Sequence, residues 1–236
     1  MTTSPIERYR TLLAERPDLF VQPDDAVPRL LVDPDAIAAA EEAGSNGLAS
    51  LGMDPTWAEV GVVFEDQYLM VLRDAVDWGS GFLGTYIRLL PKTGTDRAGV
   101  VVLALVDGEV VFVEHYRHAL RTWMLELPRG FGEPDADALA DARRELAEEV
   151  AATIDHVEVV GRAHVDGGLT GSYVAAVVAH CRSVGRPAQH EGIRAVRTIP
   201  VAEVWRLIAD GTITDGMTLT AMALATAAGT VPPPSG

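Results

Sequence analysis

The chain has 236 residues, 48% of them hydrophobic, enough for one substantial core and a small second lobe. Its formal charge of −15 argues against nucleic acid or an anionic membrane as a large partner, because an acidic surface repels both. Cys181 is the only cysteine, which excludes an intrachain disulfide and a cysteine-based zinc site. The reducing cytoplasm is therefore the expected compartment. No apolar run reaches the roughly 18 residues of a membrane span, and "MTTSPIERYR" lacks the basic-then-apolar order of a secretory signal.

In chain order, Ser4, Pro5 and Glu7 form a capping box with proline at the first helical position, which predicts a helix to about Ala14. Asp33 and Pro34 repeat that grammar, and Gly44 is the expected stop. From Trp57 the pattern turns to β-branched and aromatic runs, "VGVVFEDQYLMVLRDAV" and "GTYIRLL", joined through the glycines of "WGSGFLG". "GVVVLALVDGEVVFVEHYR" reads as a hairpin turning at Asp107-Gly108. After a helical stretch come the strand-like "VEVVGRAHV" and "SYVAAVVAHC". A helix that stops at Gly211 follows, then a last helix capped by Asp215 and running to about Ala227. This divides the chain into a helical segment (1–55), a β lobe (56–95), a mixed domain (96–228) and a tail, 229–236, expected to be disordered. Interspersed helices and hairpins predict an α+β fold, a mixed sheet between helices.

The stretch "GFGEPDADALADARRELAEEVAA" carries the chemistry. A helix from about Asp135 to Val150 puts Leu139, Ala142, Leu146 and Val150 on one stripe facing the core. Glu145, Glu148 and Glu149, at i, i+3 and i+4, gather on another face, where like charges repel. A hard divalent cation above them makes the cluster favourable, since Mg²⁺ prefers carboxylate oxygen and also binds phosphate. A solvated acidic face is the competing reading of "RELAEE" alone.

In its spacing the stretch resembles the Nudix box: glycine, five residues, glutamate, seven residues, then Arg-Glu-apolar-any-Glu-Glu-any-Gly-apolar. Gly130, Arg144, Glu145, Leu146, Glu148 and Glu149 match, while Ala136 replaces the first glutamate and Ala151 the second glycine. "VVFVEHYRHALRTWMLELPRGFGE" and "EGIRAVRTIPVAEVWRLIADGTITDGMTLTAMALA" resemble the ADP-ribose and nucleoside-diphosphate-sugar pyrophosphatase branch, a likeness running from about Ala98 to Ala225. The resemblance implies an α/β/α Nudix sandwich with a small N-terminal β-containing lobe used for homodimerisation.

It also implies the site. Glu145, Glu148 and Glu149 are the expected metal ligands, with Mg²⁺, or Mn²⁺ in its place, as cofactor. Arg129 is expected to add its backbone carbonyl. Glu191, in the loop "AQHEGIRAV", stands where the branch has a catalytic glutamate, beside Glu148 and Glu149 as the other candidate bases. Arg117 is expected to grip the diphosphate, Arg88 to reach substrate across a dimer, and Glu126 to support the site. Gly130 and Arg144 take structural roles, Arg144 orienting the box glutamates. Glu133, Asp135 and Asp137 are the nearest stand-ins for the glutamate missing at Ala136, and Asp166 for an acidic residue of the loop "HVDGGLTGSY". The implied activity is hydrolysis of a nucleoside-diphosphate-linked small molecule, ADP-ribose first. A different diphosphate is the alternative substrate, and a non-catalytic nucleotide-diphosphate sensor the alternative class.

Overall fold

The computed structural model describes residues 3–92, 97–186 and 192–234. Two compact units divide the chain: Met1–Lys92 with Asp166–Gly171, and Thr93–Val165 with Ser172–Gly236.

The first unit contains α1 (Pro5–Glu15), β1 (Arg29–Leu31), α2 (Pro34–Ser50), β2 (Gly61–Glu65), β3 (Leu69–Asp77) and β4 (Leu83–Pro91), with short helical turns at Pro17–Phe20 and Pro55–Ala58. Ser4 and Glu7 form the expected capping box at the start of α1. β3 pairs antiparallel with β1 and β2, and with β4 along its length. Tyr9, Leu12, Phe20, Ile37, Ala40, Val60 and Leu72 share one core, so the helices before position 55 and the described strands after it, as far as Pro91, fold together. α2 passes through Gly44 instead of stopping there. A side chain at Gly44 would begin 3.0 Å from the Ala58 Cβ, so this glycine serves close packing inside the helix. The buried Asp74 accepts the Tyr9 hydroxyl at 2.6 Å and the Arg88 Nε at 2.6 Å.

The second unit begins with β5 (Arg97–Val106) and β6 (Glu109–Arg117). Their turn places Asp107 and Gly108 at φ of 51° and 80°, the left-handed pair that the Asp-Gly signal foretells. β7 (Thr122–Glu126), β8 (Arg129–Phe131), α3 (Ala138–Val150), β9 (Thr153–Ala163), β10 (Tyr173–Ser183), β11 (Ile193–Pro200), α4 (Val201–Ala209) and α5 (Gly216–Ala227) follow. The sheet runs β11-β6-β5-β10-β9, with β5 and β10 parallel and the other pairs antiparallel. This is the expected mixed sheet.

Alternation along β5 and β10 gives the sheet two apolar faces. Val100, Val102, Ala104, Ala175, Val177 and Ala179 face Ala142, Leu146 and Val150 of α3. Val101, Leu103, Leu105, Val174, Ala176 and Val178 face α4 and α5 through Val204, Ala221, Met222 and Ala225. The unit is an α/β/α sandwich, as expected.

One irregularity in the sheet builds the site. β5 and β6 pair only at Leu105–Val110 and Val106–Glu109, beside their turn. Beyond that they part: β7 pairs with β6 and β8 with β5. The "LELPRGF" segment fills the gap, held by a bond of 2.8 Å from the Val102 amide to the Pro128 carbonyl.

α3 begins at Ala138, later than expected. The Asp137 side chain accepts the Ala140 amide at 2.8 Å and so fixes the start beyond Asp135. The tail departs further from expectation, because Val231 is buried and the Trp205 Nε1 donates to the Pro232 carbonyl at 3.0 Å. A buried apolar side chain and a satisfied carbonyl tie that segment down as far as Pro232. Among the described residues, no helix is long and apolar enough to cross a membrane.

Ala151 ends α3 in the left-handed region, at φ 45° and ψ 45°. A Cβ is strained there and glycine is not, so Ala151→Gly should raise stability by about 1 kcal/mol. The measurement is the melting temperature, expected to rise by roughly 2–4 °C for a chain of this size.

Candidate functional site

α3 presents its acidic residues on two edges. Glu145 and Glu149 are buried at 6% and 2% exposure, while Glu148 stands at the rim, exposed. The expected single acidic face is therefore split. Glu145 is received by the glycine of β8: a Cβ at Gly130 would fall 1.8 Å from the Glu145 Oε1. Only a residue without a side chain lets this carboxylate lie against the strand. The Arg129 amide donates to the Glu149 Oε2 at 3.1 Å.

Burial pushes the Glu149 carboxyl up to about 8, and the negative charge of Glu145 adds to the rise. The Arg129 amide and the Arg117 charge pull the other way and lose. Two acidic groups thus sit in a poorly solvated notch that cannot comfortably carry both charges.

Arg144 holds the remaining pieces. It reaches Glu145 at 2.7 Å and Glu148 at 3.0 Å, and donates to the Phe131 carbonyl at 2.8 Å. Burial opposes its charge, yet the Glu145 and Glu148 carboxylates prevail and hold it above its usual range.

Across the notch, Glu126 is fully buried at the end of β7. Arg117 forks onto it through Nη2 and, at 3.1 Å, through Nε. Arg129 approaches Glu126 at 3.4 Å and Asp215 at 3.4 Å. Asp215 also caps α5 through the Thr218 amide at 2.8 Å, while the Thr218 hydroxyl accepts the Leu127 amide at 3.0 Å. One network therefore joins the last helix to the inserted segment. His115 lies 3.6 Å from Glu126 with its Nδ1 buried and unbonded, and burial with the Arg117 charge lowers its pKa.

These groups line one cavity of about 600 Å³, walled by His115, Arg117, Arg129, Arg144 and the three box glutamates. Glu126 lies behind the wall. Arg88 belongs to the other unit, where Asp74 and the Leu19 carbonyl occupy its guanidinium. Asp166 caps its own turn through the Gly168 amide at 3.2 Å. Glu191 lies outside the described residues.

The donor set suits a hard divalent cation: carboxylate oxygens in a notch where a positive charge would take the place of the proton and offset two crowded negative charges. Among the described residues no three acidic, histidine or cysteine side chains converge into a finished cage. Glu148 is engaged by Arg144 and would have to turn inward to join.

Sequence reasoning missed Asp141 and Arg97. Asp141, Glu145 and Glu149 stand four residues apart, so one edge of α3 carries three buried carboxylates. That spacing is present in "DARRELAEE", but it is masked by the stronger pattern of the box. Asp141 pairs with the buried Arg97.

A family model described as NUDIX domain matches residues 95–219. Among solved structures, 252 chains match. One, described as an ADP compounds hydrolase, is 20% identical with a TM-score of 0.62, over 73% of this chain and 95% of that one. At that identity the likeness is one of fold. No curated protein matches the chain.

The raised Glu149 carboxyl sets a pH dependence for the metal-free protein. Folding then favours the protonated form, so its contribution to stability is full below pH 4.5 and is lost as pH rises through about 8. In chelator, the melting temperature should fall across that window, and Glu149→Gln should flatten the fall. Parallel profiles for the two proteins would show that Glu149 is not the responsible group.

Proposed function

The chain belongs to the Nudix family of hydrolases, and from that premise we propose that it cleaves the diphosphate bridge of a nucleoside-diphosphate-linked small molecule. ADP-ribose is the favoured substrate, with AMP and ribose 5-phosphate as products. The observation that carries this reading is the cavity: Glu145, Glu148 and Glu149 share it with Arg117 and Arg129. Carboxylates to hold a cation and guanidiniums to hold phosphate oxygens meet at one place. The ADP compounds hydrolase of similar fold supports the same substrate class.

Glu145 and Glu149, with Glu148 turned inward, would hold the Mg²⁺, or Mn²⁺ in its place, and the Arg129 backbone carbonyl is proposed as a further ligand. When bound, the cation supplies charge neutralisation at the diphosphate and a more acidic water. Arg117 and Arg129, fixed by the buried Glu126, orient the phosphate oxygens. The oxygen of water joins one phosphorus, and the bridging P–O bond breaks. The leaving phosphate keeps the bridging oxygen, and the water's proton passes to a carboxylate. Glu149, Glu148 and Glu191 are the proposed acceptors.

A homodimer is part of the proposal. Phe82, Tyr68 and Trp57 of the first unit are 71%, 62% and 57% exposed, apolar surface that a second copy would cover.

The test is release of monophosphate from ADP-ribose, other nucleotide sugars, dinucleotides and isoprenyl diphosphates with Mg²⁺. Glu149→Gln should lower kcat/KM by on the order of 10²–10⁴-fold. Turnover of a different panel member would replace ADP-ribose as substrate. Tight cation-dependent binding without turnover would replace the hydrolase by a sensor. Independently, Mg²⁺ should raise the melting temperature of the metal-free protein at neutral pH, and Glu149→Gln should remove most of that rise.

A further inference from the structure

The box departs from its pattern at Ala136, where a carboxylate is missing. We infer that the buried Arg97–Asp141 pair replaces that carboxylate as the positioning device of the site, fixing the Gly132–Ala136 loop and Arg144. The inference rests on the proposed metal site.

Arg97 and Asp141 are 7% and 1% exposed, and they meet as an ion pair at the start of β5 and the first turn of α3. Arg97 donates through Nη2 to the carbonyl of Ala136 itself, at 2.6 Å. The residue that lost its side chain is thus held by its backbone. Gly132 lies flush against the same guanidinium: a Cβ there would fall 2.8 Å from the Arg97 Nη1. Asp141 accepts the Glu133 amide at 3.2 Å, so both ends of the pair grip the loop between β8 and α3.

The connection to the box runs through Arg144. The Asp141 Oδ1 lies 3.5 Å from the Arg144 Nη2, the nitrogen that also meets Glu145 at 2.7 Å and the Phe131 carbonyl at 2.8 Å. Asp141 thus stands between two guanidiniums, and Arg144 between Asp141 and the box glutamates. Glu133 and Asp137, two of the stand-ins that sequence suggests, are otherwise engaged. Glu133 contributes its amide and a carboxylate 3.8 Å from Arg144, and Asp137 caps α3. Asp141 is the buried carboxylate that grips this loop, and nothing in the box pattern requires an acid at its position.

A pair that only holds the fold together differs from a positioning pair in one respect. Replacing both members of a buried ion pair by apolar residues commonly preserves the fold, whereas removing one leaves a buried charge. The experiment therefore uses Asp141→Asn and the double variant Arg97→Met with Asp141→Leu. Mn²⁺ affinity is titrated in each full-length protein, with kcat and KM for the panel's best diphosphate alongside. Melting curves check folding.

Mn²⁺ affinity should fall by about 10–100-fold in both variants. The loss should persist in the double variant even where its melting temperature equals that of the native chain. kcat should fall in parallel, with KM for the diphosphate little changed. Native Mn²⁺ affinity in the folded double variant would overturn the inference and leave the pair a structural one. A native chain that binds Mn²⁺ but hydrolyses nothing would sink the proposed activity, while the metal titration would still decide the positioning role. A native chain that binds no Mn²⁺ would overturn both.

Discussion

The site of the second unit is built around the cost of burying two neighbouring carboxylates of α3, Glu145 and Glu149, in one notch. Glu145 and Glu149 point into a notch between α3 and the sheet, where water is scarce and each raises the energy of the other's charge. Isolated in an apolar medium, such charges would be prohibitive. The fold tolerates them through close backbone approach at Gly130, an amide from Arg129 and the guanidinium of Arg144. None of these removes the conflict fully, as the raised Glu149 carboxyl shows. A site left with unsatisfied negative charge is one that a cation stabilises.

The parting of β5 and β6 makes this geometry possible. Had the hairpin stayed zipped along its length, the sheet would have offered α3 a continuous pleated face with no place for a polar side chain. Because the strands separate, the inserted segment brings Glu126, Arg129 and Gly130 to the same gap. The hydrophobic contacts of Ala142, Leu146 and Val150 then lock the helix at the register that aims its acids there. Packing and polar chemistry are read from neighbouring rows of one helix, Ala142–Leu146–Val150 and Asp141–Glu145–Glu149, which is why neither can shift without the other.

Much of this was legible in the sequence where local rules govern. The Ser4 box, the Asp107-Gly108 turn and the Asp215 cap each depend on a few neighbouring residues, and each stands where its signal lies. The spacing of the box placed the three glutamates and Arg144 in one cavity. Signals failed where the deciding partner is distant in the chain. Gly44 looks like a stop until Ala58 is seen packed against it, and the tail looks free until Trp205 reaches Pro232. Asp141 is the clearest case. Within the helix it is one acid among several, and its meaning comes from Arg97, 44 residues earlier.

The overall charge also resolves into something more specific than repulsion. A chain at −15 has no general attraction for an anion, so any phosphate binding must be local. Among the described residues lining the cavity, the guanidiniums of Arg117, Arg129 and Arg144 face the carboxylates of Glu133, Glu145, Glu148 and Glu149. With all four carboxylates charged the acids outnumber the bases by one, and with the Glu149 carboxyl protonated the two balance, so without a cation the cavity offers a diphosphate no net positive charge. One divalent cation held there would make the sum positive and convert the cavity into an anion site. Under the proposed function, cation and diphosphate would each improve the other's binding, a reciprocity that linkage requires. The buried Glu126 sharpens the effect, because it holds Arg117 and Arg129 in place while spending part of their charge inside the protein. Such a cavity would favour anions that bring their own cation or meet one there, which suits the proposed diphosphate better than a single carboxylate.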